Sequence, residues 1–558
     1  MQAGNTLATD GGTPQPRSPQ VVMRLERMGS AHPTRLSFLR VLLRRMANEG
    51  WRFDRPVWEI DDHGVGRAVY RAAGPKRSYS LVAFAHDLPA EMRSDRVIAT
   101  AWDATFALFD GTPSAADLDR LQANVPLQEA GRVSSQELSL SRANRSVRLW
   151  AHVVDRLAAG QQPDPEEIAA VGYLMRTTAV YGSGKFGAAD RRDIADRPEL
   201  AEPFQPEMLS VWLTRQFTVD IVEHLAMVKG GANAVRLEPA IKAAFGVGNS
   251  TGLGMAPYLV RHPLLLNNWS AAREEALTRV RGVAGAAPEA VRCLRQTYQE
   301  ARRNAADWRS EHPIQVAKLA DLCADLDRIG ARLDQFPGTA AFPWDELWRW
   351  GEATLSVEGQ EQLLALLIEP HGDLVDDLSA CMSADETVAA PLNGSMTVGR
   401  LREILRQRYS WALATDFTQP ENMARFWYVS EEKLEPRLGE RASDEGAELE
   451  QPLCIARFAW ELDADLAQSP ATETVAAFVM RHPRHRYIVR RAQIAETHPY
   501  AEVHDNLIAA DMLPIDLMRC KLAFFGATHF DPRSDKWVRI SLFQGAPYPL
   551  DPEGGSLS

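Results

Sequence analysis

Three stretches of this sequence combine residue types that can do chemistry. The first runs Arg176-Thr177-Thr178-Ala179-Val180-Tyr181-Gly182-Ser183-Gly184-Lys185-Phe186-Gly187, with Asp190, Arg191 and Arg192 close behind. Glycines let backbone N–H groups turn toward an anion, and lysine and arginine supply charge. Arg176, Lys185 and Arg191, with the hydroxyls of Tyr181 and Ser183, therefore suit a carboxylate or a phosphate. The stretch is no P-loop: the first glycine of that motif is missing, and Phe186 stands where a hydroxyl would hold Mg²⁺. It also reads as following a helix, not a strand. The structural alternative is a glycine-rich helix terminator with a solvated lysine.

The second stretch is Gly246-Val247-Gly248-Asn249-Ser250-Thr251-Gly252-Leu253-Gly254. Its glycines permit close backbone approach to a ligand, which Asn249, Ser250 and Thr251 would orient. A dinucleotide fingerprint needs a strand before it, whereas Pro239 to Phe245 reads as helical. A tight interhelical turn is the alternative.

The third is a polar stripe in a segment otherwise apolar all round, Pro206 to Val228. Gln216, Asp220 and His224 recur every fourth residue, so they share one helical face, with Glu223 beside them. Such groups need partners, and Asp220 or His224 could act as general acid or base. The alternative is a hydrogen-bond network joining helices. A further cluster near the C-terminus, Glu496, His498, Glu502, His504 and Asp505, holds metal-ligating types. Pro499 interrupts it, and the spacing of His498 and His504 matches no zinc signature.

These residues need elements to position them. The chain has 558 residues, enough for several domains, and 45% of them are hydrophobic and 24% charged, so a large core can form. Helical periodicity covers Leu36 to Met46. Arg67–Tyr70, Ser78–Ala85 and Val97–Phe109 read as strands. From Ser134 to about Ser430 the pattern is helical almost throughout. Asp164-Pro165-Glu166-Glu167 starts a helix expected to reach Val180. Glu289–Trp308 and Ile314–Phe336 read as a helical hairpin, whose seam of Val316, Leu319, Leu322, Leu326, Ile329, Leu333 and Phe336 would pack internally or form a homodimer. Strands are expected at Arg486–Ala495 and Trp537–Phe543, and a helix near Asp505–Lys521.

The predicted fold is mainly α, a multi-helix core with smaller α+β portions at both ends. The predicted units are a disordered arm (1–32), an α+β unit (33–133), a helical core (134–430), a charged linker (431–452), an α+β unit (453–548) and a disordered tail (549–558).

Composition narrows the function. There are 62 basic and 74 acidic residues, a net charge of −12, which argues against a nucleic-acid partner. No apolar run approaches a membrane span. The five cysteines form no disulfide framework and fit a reducing, cytoplasmic setting. Nucleophile-elbow, kinase and Cys-x-x-Cys signatures are absent. The expectation is a cytoplasmic enzyme of lyase or isomerase type, acting by acid–base chemistry on an anionic small molecule where the two glycine-rich loops meet the Gln216–His224 stripe. The cofactor is unknown. Lys185 could form a pyridoxal Schiff base on residue type alone. The alternatives are a non-catalytic helical interaction or regulatory protein, and a metal-dependent oxidoreductase or hydrolase built on His498, His504 and Glu502.

Overall fold

The computed structural model describes residues 14–87, 102–125, 134–177, 196–249, 262–308, 313–382, 389–418, 425–427, 436–438, 455–503, 519, 521–527, 529–531 and 539–551. Within them the strands are β1 (Arg52–Ile60), β2 (Gly66–Ala73), β3 (Ser78–Ala85), β4 (Ala104–Asp110), β5 (Glu137–Arg145), β6 (Tyr173–Thr177), β7 (Gly246–Asn249), β8 (Arg425–Trp427), β9 (Pro436–Leu438), β10 (His529–Asp531) and β11 (Arg539–Leu542). The molecule is mainly helical, and nine of these strands form one sheet in the order β1-β2-β3-β4-β5-β6-β7-β11-β10. Neighbours run antiparallel except β6 and β7, which pair in parallel, Tyr173 beside Gly246 and Arg176 beside Gly248.

The first helix, α1 (Phe38–Asn48), buries Phe38, Leu42 and Met46 on one face and sits two residues later than its periodicity suggests. α2 (Ala115–Asn124) begins on a capping box between Ser114 and Asp117 and lays Leu118 and Leu121 on the outer face of the sheet. There they meet Val82, Phe84, Phe109 and Leu140, each contributing about 2 kcal/mol by burial. α3 (Trp150–Ala158) and α4 (Pro165–Val171) follow β5. The opposite face of the sheet wraps α5 (Gln205–Gly230), where Tyr70 and Phe106 set their rings edge-on against Phe217. α5 is the helix expected from the apolar run, and it is buried nearly all round. With α6 (Pro239–Ala243) it forms the crossover between β6 and β7.

Two departures from the expected pattern matter for function. Residues 134–180 are not continuously helical: α4 stops at Gly172, whose φ of 75° is a left-handed cap, and the chain turns at once into β6. Short strands buried on both faces lack the alternation that marks a strand in sequence. The glycine-rich stretch after Arg176 therefore follows a strand, and Gly246–Asn249 is itself a strand. The C-terminal strands do not form a separate α+β portion either, because Ile540 pairs with Asn249 and joins β11 to β7.

The helical layer comprises α7 (Pro263–Arg281), α8 (Pro288–Asp307), α9 (Pro313–Leu333), α10 (Pro343–Thr354), α11 (Val357–Ile368), α12 (Val398–Arg408), α13 (Ile455–Leu466), α14 (Val475–Arg481) and α15 (Arg486–Thr497). α8 and α9 are the expected hairpin. Leu326 is only 2% exposed and Leu322, Ile329 and Leu333 are equally enclosed, so the seam packs within the chain, against α8 and α11. Arg486–Thr497 is a helix where a strand was expected. Its β-branched residues suggested a strand, but Ile488, Val489, Ala492 and Ala495 follow the helical period. In the stretch expected to be a linker, β9 pairs with β8. Most of the helix expected near Asp505–Lys521 lies outside the described residues.

The expected disordered arm is held from residue 14 onward. Val22, Met23 and Met28 are buried. Arg17 binds Glu274 and Glu361, each at 2.7 Å, and Arg27 and Arg273 converge on the same Glu361. Buried carboxylates in α7 and α11 thus anchor arginines of a segment whose composition looks solvated. The start of the expected tail is tied down as well, through Asp551 on Lys242 at 2.5 Å.

Candidate functional site

The polar stripe of α5 is internally satisfied. Gln216 Nε2 donates to Asp220 Oδ1 at 2.7 Å, and Asp220 Oδ2 accepts from Arg55 at 2.7 Å and from the Tyr70 hydroxyl at 2.8 Å. Gln216 Oε1 accepts from the backbone N–H of Leu550. His224 Nε2 lies 2.8 Å from the carbonyl of Asp61, and its ring stands edge-on to Trp58. Glu223 accepts from the N–H of Leu237, and burial lifts its carboxyl above the ordinary range. These groups tie α5 to the β1–β2 hairpin and to the end of the chain. Burial and the neighbouring Asp220 carboxylate push the Tyr70 phenol well above its usual range, so it serves here as a donor.

The stripe also lies away from where the glycine-rich stretches begin. Arg215 donates to the carbonyl of Phe245, just before β7, so α5 has reached the N-terminal end of that strand by this residue. Asp220 and His224 lie further along the helix by about 7 and 13 Å of rise. Residues 178–195 and 250–261 leave from the other, C-terminal ends of β6 and β7. Among the sequence candidates, Tyr181, Ser183, Lys185, Arg191, Ser250 and Thr251 fall in those stretches, outside the described residues. Arg176 on β6 and Asn249 at the end of β7 are at the strand ends themselves. The expected meeting of Asp220 and His224 with the strand ends is therefore not what the fold provides.

The C-terminal cluster resolves into separate partnerships. Both oxygens of Glu502 are taken by Arg491, at 2.7 Å for Oε2, and the Tyr409 hydroxyl adds a bond of 2.5 Å to Oε1. A carboxylate this well compensated in a buried site is a structural ion pair, which removes it from the proposed metal set. His498 Nδ1 lies 2.9 Å from the Thr497 hydroxyl and 3.1 Å from the carbonyl of Ile494, while Glu496 binds Arg400 at 2.6 Å. His504 lies outside the described residues. Among those described, no three His, Cys, Asp or Glu side chains group to hold a metal.

A different set of polar groups does converge, on the outer face of the sheet where β6 and β7 end. Side chains alternate across a strand, and Leu140 faces outward beneath α2. Arg142 and Asn144, two and four residues on, share that face. Thr105 lies directly opposite Arg142 on β4. Arg176 lies directly opposite Asn144 on β6, and Gly248 beside Arg176 on β7. Moving along the strands, the apolar outer face of Phe84, Ala107 and Leu140 gives way to Thr105, Arg142, Asn144 and Arg176, all buried.

Neighbouring groups complete this row. His86, just past β3, places Nε2 3.0 Å from the Thr105 hydroxyl. The Arg142 guanidinium lies over the Trp102 ring, 3.8 Å from its centroid, and the Trp102 indole nitrogen is buried with no hydrogen-bond partner. Asn144 Oδ1 accepts from the N–H of Asp103, whose carboxylate is engaged by the backbone N–H and guanidinium of Arg145. Gly248 is required here: a Cβ would sit 2.5 Å from the Tyr173 ring and 2.7 Å from Arg176 Cγ. Its bare backbone lets the Arg176 stem cross β7.

As diagonal neighbours, the bases of Arg142 and Arg176 stand about 7–8 Å apart. Two guanidiniums at that spacing can grip one oxyanion, each offering planar paired donors. Burial lowers the His86 pKa, partly opposed by Asp103, so near neutral pH the imidazole is uncharged and able to take a proton. No protein-family profile, curated protein or solved structure matches this chain.

Of this row, sequence reasoning found only Arg176. The signal for the rest was present in Leu138-Ser139-Leu140-Ser141-Arg142-Ala143-Asn144-Arg145. Its period of two marks a strand whose outward positions change from leucine to arginine and asparagine.

Proposed function

We propose that this chain is a cytoplasmic enzyme of small-molecule metabolism that binds a carboxylate- or phosphate-bearing substrate at the C-terminal ends of β6 and β7. Arg142 and Arg176 grip the anionic group, and acid–base chemistry follows, of lyase or isomerase type. The observation that carries the reading is the pair of buried guanidiniums on one sheet face, at the end of the parallel strand pair from which both glycine-rich stretches depart. Ligands of open α/β sheets bind outside the carboxyl ends of parallel strands, where the connections diverge. The outgoing stretches add Lys185 and Arg191, of matching charge, and Ser250 and Thr251 as further polar groups. Asp220 and His224 have no part in this version of the site. The buried state of Leu326 weighs against the alternative of a helical interaction module. Nor does any described helix have the length and apolarity to cross a membrane.

The test is calorimetric titration of the full chain with sulfate, standing in for phosphate, and with succinate. Arg142→Ala and Arg176→Ala should each weaken binding of whichever anion binds by at least about tenfold, the loss of a charge-assisted contact. Asp220→Gln should leave it unchanged. Failure of both anions to bind, or equal binding by the two arginine variants, would contradict the reading.

A further inference from the structure

The row of outward-facing groups places a titratable ring at one end and the anion-gripping arginines at the other. His86 Nε2 lies 3.0 Å from Thr105 Oγ1, and Thr105 is directly opposite Arg142 in the ladder. Thr105 is 1% exposed, so bulk water does not compete for its hydroxyl. When Nε2 of the neutral ring is unprotonated, it accepts the hydroxyl proton, and only the lone pairs of Oγ1 face Arg142. An approaching anion then meets a repulsive oxygen beside an attractive guanidinium.

Protonation of His86 reverses this bond. Nε2 becomes the donor, Oγ1 the acceptor, and the hydroxyl hydrogen is released to point toward Arg142 and whatever Arg142 holds. The anion gains a hydrogen-bond donor and a positive charge two positions away. One proton is taken from solvent at the ring, and no bond other than the N–H forms or breaks. We propose that the site takes up its anion together with a proton, and that His86, acting through Thr105, is the group that carries this proton for the acid–base step. This rests on the anion site described above and names the proton-exchanging residue within it.

The charges around the ring are consistent with that role. Asp103, at the start of β4, favours the protonated ring but is itself held by Arg145 from β5. Arg142 opposes protonation until an anion neutralises it. Asp87 follows in the chain, and Arg176 lies one strand beyond Arg142. An anion on the arginines thus removes the main electrostatic obstacle to protonating the ring, and the two binding events favour one another by reciprocal linkage.

Sulfate is the probe, because it does not titrate near neutrality. Its binding to the full chain should tighten about tenfold between about pH 8 and pH 6, with proton uptake seen by calorimetry in buffers of different ionisation heat. His86→Asn should still bind sulfate but without that uptake. In wild-type protein, the NMR signal of the His86 ring should titrate at higher pH with sulfate than without, a readout that needs no variant. Sulfate binding that depends on Arg176 but shows no His86-dependent proton uptake, and no shift of the ring's titration, would overturn this proposal alone. Absence of sulfate binding altogether would overturn the proposal, and absence of succinate binding as well would take the anion site with it.

Discussion

Two buried polar groupings in this protein look alike in sequence and differ in structure. The Gln216–Asp220–His224 stripe sits on one helix, and its principal polar atoms meet partners: Arg55, Tyr70, the carbonyl of Asp61 and the N–H of Leu550. The Thr105–Arg142–Asn144–Arg176 row is drawn from three strands, collects positive charge, and includes an indole N–H with no partner. The stripe consumes its hydrogen-bonding capacity to fasten α5 to the β1–β2 hairpin, whereas the row gathers donors at a place where the chain connections part. Regular spacing identifies a shared face. Only the pattern of partners separates structural glue from a binding surface.

The sharpest way to break this contrast is to remove the hub of the stripe. Asp220→Ala leaves the buried Tyr70 hydroxyl and Arg55 without their acceptor and should cost about 3 kcal/mol of stability. The check is chemical denaturation, with sulfate affinity measured on the same samples and expected to stay at the wild-type value. If affinity collapses instead, the stripe belongs to the site.

A similar magnitude comes from pH, in a histidine far from the row. Burial lowers the pKa of His32 to about 4, and Glu369 only partly opposes it. The unfolded chain binds this proton first, so stability should fall as pH drops from about 6.5 to about 4, by about 3 kcal/mol, and level off below. Denaturation curves of wild type and His32→Gln across that range should converge toward acid. The sulfate-linked proton uptake assigned to His86 should survive in His32→Gln, which separates the two histidines.

Gly248→Ala is expected to be milder in stability yet to affect binding. The added methyl would collide with the Tyr173 ring and the Arg176 stem, an overpacking cost of about 2 kcal/mol, and should turn Arg176 away from its place. Melting temperature and sulfate affinity should fall together. The smallest effect is predicted for His224→Ala. The ring is half-exposed with a single carbonyl contact, so the loss should stay below about 1 kcal/mol and leave anion binding intact.

How much of this was legible beforehand depended on the period of each element. The long helices α5, α8 and α9 repeat over enough turns to be read, and β3 was found at its full span because Gly, Pro and Asp bound it. β5, β6 and β7 were missed as strands, because β6 and β7 have only five and four residues and all three sit amid helices. That miss hid the site. With Gly246–Asn249 read as a loop and the region of Arg176 as a helix, nothing could place Arg142, Asn144, Arg176 and Gly248 in one row across three strands. The stripe was overvalued for the opposite reason, since helical spacing showed the shared face but not Arg55 and Tyr70 waiting across it.

The central claim is a location, and it is best tested by one. Crystals of the full chain soaked in selenate would show, by anomalous scattering, where a tetrahedral anion sits. The account predicts a peak within hydrogen-bonding reach of the Arg142 and Arg176 guanidiniums, on the outer face of the sheet at the ends of β6 and β7. A selenate bound elsewhere with that face empty, or one seated against the Asp220 stripe, would contradict it.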